Sequence, residues 1–123
     1  MMDIGFTGTR KGMSEPQKIG LSRLLYALSA DGEIDGLTFH HGGEPHADKE
    51  AANIARGRFW ATQNHRPAKK DAAHLLKRNR DIVEASEILI AAPDSLEERQ
   101  RSGTWYTVRY ARKQGVPVII LDR

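Results

Sequence analysis

Two short runs have the residue types of anion-binding loops. Gly8-Thr9-Arg10 follows the apolar stretch Ile4-Gly5-Phe6-Thr7 and runs on into Lys11-Gly12. Glycine there lets the main chain approach a ligand, and the hydroxyl and guanidinium beside it suit a phosphate. Ser102-Gly103-Thr104 opens a helical stretch, so its N–H groups stand unpaired at the positive end of a helix dipole. Taken singly, each run also reads as a tight turn or a helix cap. His40, His41 and His46, with Asp48, have side chains that suit zinc, but the i, i+4 histidine pair of zinc hydrolases is missing, so no metal and no cofactor is expected. Asp48 is better placed near a helix N-terminus, to accept a ribose hydroxyl or to complement the dipole. Trp105 is a core residue by default and otherwise a platform for a base. Lys70, Lys77, Arg78 and Arg80 read as a solvated helix face, His65 as an exposed loop residue, and residues 94–101, with Glu97 and Glu98, as a charged lid. No nucleophile elbow supports a Ser-His-Asp arrangement and no carboxylate pair stands out, so residue pattern alone does not establish catalysis.

Alternating strands and helices must position these loops. Ser14 and Gln17 form a capping-box pattern with Pro16 in the first turn, and Leu21, Leu24, Leu25 and Leu28 make one stripe of a helix ending near Asp31-Gly32. Leu37-Thr38-Phe39-His40 is a second strand, breaking into His41-Gly42-Gly43-Glu44-Pro45. From His46, Ala47, Ala51, Ile54 and Ala55 keep helical spacing up to Gly57, read as the cap. A third strand is expected over 59–62. Ala72, Leu75, Leu76, Asn79 and Val83 form the next helical stripe, and Ile88-Leu89-Ile90-Ala91-Ala92 is a central strand closed by Pro93. A helix through Lys113, a turn at Gly115 and a last strand over 116–121 complete the pattern βαβαβαβαβ. Such alternation predicts a doubly wound α/β domain, a five-stranded parallel sheet in the order 3-2-1-4-5 with helices on both faces. Ligands of these sheets bind at the carboxyl ends of the strands where the order reverses, which brings the three loops to one rim.

Composition narrows the class. The 123 residues, 39% hydrophobic and 28% charged, fit one domain over 1–123. The longest apolar run, Ile88-Leu89-Ile90-Ala91-Ala92-Pro93, falls far short of the roughly 18–20 residues of a membrane span, so no membrane partner is expected. Met1-Met2-Asp3-Ile4-Gly5 has neither a basic leader nor an apolar stretch, and a cytoplasmic protein is expected. The absence of cysteine removes disulfides and thiolate sites. A net charge of +3 permits an anionic ligand without demanding nucleic acid.

Four groups of residues together resemble the SLOG superfamily of Rossmann-like nucleotide-binding proteins, which includes DprA-like proteins and LOG-type phosphoribohydrolases. They are Gly5-Phe6-Thr7-Gly8-Thr9-Arg10, His40-His41-Gly42 with Ala47-Asp48, Arg78-Asn79 leading into 86–93, and Arg101-Ser102-Gly103-Thr104-Trp105. They are most similar to small stand-alone members from bacteria and phages. The resemblance implies a nucleotide or nucleotide-derived ligand, NAD- or ADP-ribose-related ones included, held by a module that senses, carries or sequesters it. Gly8, Thr9, Arg10, His41, Gly42, Asp48, Arg101, Ser102, Gly103, Thr104 and Trp105 would bind it. LOG enzymes hydrolyse the N-glycosidic bond of nucleotides with an arginine and a glutamate. Arg78 has the spacing of that arginine, but the glutamate's place, counted from Thr104, falls on Thr107. On an enzymatic reading Arg78 and Asp48 are the catalytic candidates, with Glu50 or a lid glutamate as substitutes for the lost acid. The family's Pro-Gly-Gly turn is interrupted here by 94–101, and His46 stands where many relatives have glycine. Single-stranded nucleic-acid binding of the DprA type is a third reading, which a pI near 9.4 allows. Relatives' oligomers and the aromatic residues of the last helix leave room for a homo-oligomer.

Overall fold

The computed structural model describes residues 2–29 and 36–123. In chain order the elements are β1 (Met2–Gly8), α1 (Glu15–Leu28), β2 (Leu37–His41), α2 (Ala47–Gly57), β3 (Ala61–Asn64), α3 (Ala72–Glu84), β4 (Ile88–Ala92), α4 (Gly103–Lys113) and β5 (Val118–Ile120). The strands form one parallel sheet in the order β3-β2-β1-β4-β5, as the alternation predicts. No described helix is long and apolar enough to cross a membrane.

Side-chain alternation along β1 divides the core. Ile4 and Phe6 join Leu21 and Leu25 of α1, Phe39 of β2 and Ala51 and Ala55 of α2 in the largest cluster. On the other face Ile82 and Val83 of α3 pack with Leu89 of β4 and Ala111 of α4. Gly5 points to that second face, where a Cβ would collide with the Ser86 hydroxyl and crowd Ile82, so α3 comes this close only over glycine.

The capping box forms in both halves: Ser14 Oγ accepts from the Gln17 N–H at 3.3 Å, and Gln17 Oε1 accepts from the Ser14 N–H at 3.0 Å. The Gln17 amide, fully buried, donates to the Pro93 carbonyl at 2.9 Å and ties α1 to the end of β4. The expected helix end at Asp31-Gly32 lies outside the described residues.

Three boundaries differ from the sequence reading. Gly57 belongs to α2 and Arg58 caps it. The chain then turns through Phe59, at φ 65°, whose ring is 77% exposed, while Trp60 drops into the core. The β-prone aromatics of 59–62 thus serve as a helix-ending turn and a core plug, and the third strand starts two residues later, at Ala61. The last strand spans Val118–Ile120 rather than 116–121, because the Val116 N–H is drawn back to the Ala111 carbonyl at the end of α4. Of the aromatic residues of α4, Trp105 is buried, while Tyr106 and Tyr110 are half-buried and tied to α3 through their hydroxyls. The Trp105 indole donates to the Ser95 carbonyl at 3.2 Å, the Tyr106 hydroxyl accepts from Arg80 at 3.0 Å and the Tyr110 hydroxyl donates to Glu84 at 2.6 Å.

Candidate functional site

Where β1 and β4 part, the loops leaving them bound a cavity of about 650 Å3. Its walls contain Gly8, Thr9 and Arg10 from the first loop and Ser102, Gly103 and Thr104 from the start of α4, so the two anion-type loops do share one rim. The first loop is pinned by the Thr9 N–H donating to the Ala92 carbonyl at 3.0 Å, and it closes as a tight turn when the Gly12 N–H reaches the Thr9 carbonyl at 3.3 Å. Gly12, at φ 94°, supplies the left-handed residue that turn needs.

At α4, Ser102 caps the helix by accepting from the Trp105 N–H at 3.2 Å. The N–H groups of Gly103 and Thr104 have no acceptor among the described residues, as expected of a first helical turn. Nothing lies within 4 Å of where a Gly103 Cβ would be.

Asp48 and Arg78 brace the loop after β2. The buried Asp48 carboxylate accepts from the Gly42 N–H at 2.9 Å and the Glu44 N–H at 3.3 Å. Burial raises its pKa to about 6, against the pull of those two bonds and of Arg78. The Arg78 guanidinium, buried rather than solvated as its helix pattern suggested, donates to the Gly42 carbonyl at 2.6 Å, to Glu44 at 3.1 Å and to Asn79 at 2.8 Å. A side chain at 42 would run into that guanidinium, so the glycine there is a packing requirement.

Not every residue from the sequence reading reaches the cavity. His41 and Gly42 lie outside its wall and act on loop shape. His41 Nδ1 accepts from the Gly43 N–H at 3.0 Å, and burial, with Arg56 next, lowers its pKa to about 4. Trp105 is 3% exposed against Ala91 and Val108, so the stacking role is corrected: its ring is consumed by the core. Thr107, in the place of the LOG glutamate, is buried with its hydroxyl donating to the Gly103 carbonyl at 2.8 Å. Glu50 is used by the Met13 N–H and Lys18, and Glu98 by Arg109, so of the substitute acids only Asp48 stands in the wall.

Three contributions escaped the sequence reading. Glu44 brings a second carboxylate into the wall, ion-paired to Arg78, with no signal beyond its place in a loop after a strand. Leu75 and Leu76, visible as a helical stripe, form an apolar wall. Beside the expected Arg101, the 94–101 segment supplies Asp94 and Arg99, and Asp94 lies 3.2 Å from Lys11 and 3.7 Å from Arg99. In all, Arg10, Lys11, Arg78, Arg99 and Arg101 face Glu44, Asp48 and Asp94, an excess of positive charge. Arg10 and Arg101 have no acidic partner among the described residues. Away from the cavity, His65 is paired rather than free: His40 bridges it and Asp3, both at 2.8 Å. No group of three or more histidine or carboxylate side chains among the described residues is arranged to hold a metal ion.

No family model and no curated protein matches the chain. Solved structures do. DNA processing protein A from Streptococcus pneumoniae superposes with a TM-score of 0.76 at 17% identity over 98% of this chain and 50% of the other. DNA processing protein A from Helicobacter pylori, described for its single-stranded DNA binding mode, gives 0.74 at 19% identity over 99% and 66%. The Moco carrier protein of Chlamydomonas reinhardtii gives 0.63 at 19% identity over 98% and 75%. All three are SLOG-superfamily proteins, and the fold of this chain is theirs. The chain spans between half and two thirds of the length of the two DNA processing proteins.

Proposed function

We propose that this chain binds a nucleotide or nucleotide-derived ligand at the carboxyl edge of its sheet, as a module that senses, carries or sequesters it. One observation carries the reading: unpaired N–H groups at Gly103 and Thr104, the Gly8-Thr9-Arg10 loop and the uncompensated Arg10 and Arg101 converge on one cavity across from Leu75 and Leu76. The helix terminus and the arginines suit phosphate, and the leucines suit the face of a base. Glu44, between them, offers an acceptor for ribose hydroxyls. Binding is favoured over turnover because Thr107 is buried, bonded and without a carboxylate. That the neighbours include a single-stranded DNA binder and a carrier protein agrees with a binding module of this fold.

An N-glycosidase reading has one observation behind it. Asp48, with its raised pKa, and the Arg78-paired Glu44 put two carboxylates of unlike surroundings in one wall, an arrangement that can divide acid and base roles. Release of free base from a nucleoside monophosphate by the wild type, lost in an Asp48→Asn variant that still folds and binds the nucleotide, would establish it.

The test of binding is thermal unfolding against nucleoside mono-, di- and triphosphates, ADP-ribose, NAD and short single-stranded DNA. A ligand at about 100 times its Kd adds about 2.7 kcal/mol, which raises Tm by several degrees in a domain of this size. A shift with a nucleotide supports the proposal. A shift only with DNA, or with nothing, refutes it.

A further inference from the structure

A second cavity of about 480 Å3 adjoins the first, and Arg10, Glu44 and Leu75 stand in the walls of both. Pro45, His46 and Lys70 complete its lining. The main cavity alone is within the range of about 300–1,000 Å3 that holds a complete small molecule, so a mononucleotide leaves this second lobe unused.

His46 marks the lobe in a second way. It adopts φ 73° and ψ −103°, a conformation that a residue with a Cβ reaches only under strain. Capping does not offset the strain, since its side chain makes no cap hydrogen bond to α2. What the exposed imidazole does is line the lobe. Glycine would suit the backbone better and would leave that wall bare.

Resting on the nucleotide reading of the main cavity, we propose that the joined lobes take a pyrophosphate-linked dinucleotide. One half occupies the main cavity, the linking phosphates pass Arg10 at the junction, and the distal sugar and base lie against Pro45, His46 and Lys70. The lining favours this over extra phosphates of a longer nucleotide. Arg10 and Lys70 suit a phosphate, but Pro45 and Leu75 give one nothing and the Glu44 carboxylate opposes one, whereas a base uses the apolar walls and a ribose the carboxylate and the imidazole.

Isothermal titration with ADP, ATP, NAD and a thymidine tetranucleotide tests it, on the wild type and on His46→Gly/Lys70→Ala. Both side chains are exposed and glycine suits the turn at 46, so the double variant should fold, which its circular dichroism and unfolding midpoint verify. NAD is expected to bind the wild type at least about tenfold more tightly than ADP. The double variant should bring NAD down to the ADP level and leave ADP within about twofold. If ADP binds and NAD binds no better, or if the variant weakens both alike, the second lobe is refuted and the main site stands. If ATP rather than NAD carries the sensitivity, the lobe is a phosphate site and the proposal is wrong. If only the tetranucleotide binds, or nothing does, the nucleotide reading falls and this one with it.

Discussion

Replacing Asp48 with Asn should make stability fall more steeply on acidification, because Asp48 itself contributes in the direction opposite to ordinary acid denaturation. The carboxylate is buried beneath the loop after β2, and its pKa rises from the ordinary 3.8 to about 6. Between those values the folded protein holds a proton that the unfolded chain releases, so this group's contribution is present below about pH 4 and is lost as pH rises through 6. At about 1.4 kcal/mol per tenfold change in proton affinity, the loss is about 3 kcal/mol. His41 works the other way. Burial lowers it from 6.5 to about 4, so its stability is present above pH 6.5 and is lost as pH falls through 4, also about 3 kcal/mol. The two oppose each other, and the wild type should be nearly flat over this window. Asparagine keeps an acceptor for the Gly42 and Glu44 N–H groups but cannot ionise. Asp48→Asn should therefore match the wild type near pH 4, exceed it by up to about 3 kcal/mol at pH 7, and lose stability on acidification with the His41 slope exposed. Urea unfolding followed by circular dichroism at half-unit steps from pH 4 to 7.5 measures this. Parallel curves for the two proteins would show that Asp48 carries no raised pKa.

Three other perturbations separate binding from architecture. A Cβ at position 103 meets no neighbouring atom within 4 Å, so Gly103→Val should fold, yet it should cut affinity for the nucleotide found by the thermal screen about a hundredfold, because its methyl groups fill the approach to the α4 N–H groups; unchanged affinity by titration would remove the phosphate from that helix end. Arg78→Ala strands the Gly42 carbonyl and Glu44 in a buried setting and should cost about 3 kcal/mol in urea unfolding, where a loss below about 1 kcal/mol would mean the loop holds without the guanidinium. His46→Gly relieves a left-handed backbone and should raise stability by about 1 kcal/mol, and a decrease would mean that the imidazole makes a contact the turn depends on.

The fold was legible because it rests on periodicity. The leucine stripe of α1, the Ile88–Ala92 run and the alternation of strand and helix are averages over many residues, and burial rewards each of them in the same direction. Boundaries that hang on one residue were not legible. Trp60 and Phe59 look alike as β-formers, and only the space left between α1 and the end of α2 decides that one plugs the core while the other turns outward. The site divides along the same line. Gly8-Thr9-Arg10 and Ser102-Gly103-Thr104 act through main-chain groups, whose position follows from strand end and helix start. Arg78 acts through its side chain, and its partners, Gly42 and Glu44, more than thirty residues away, are set by tertiary packing that no spacing in the sequence encodes.

What the cavity can do follows from which of its groups the fold leaves unused. Arg78, Asp48 and Glu44 are occupied with one another and with the main chain of their loop. Lys11 and Arg99 are both turned to Asp94, an arrangement that a stronger anion can displace because the two basic groups are mostly exposed. Arg10, Arg101 and the two α4 N–H groups remain, with two leucines opposite. Every one of those unused polar groups is a donor. The wall's two carboxylates are each engaged through one oxygen, Asp48 with the N–H groups of the loop after β2 and Glu44 with Arg78. The unspent capacity is for holding an anion with an apolar end, which is what the proposed binding reading asks of this cavity.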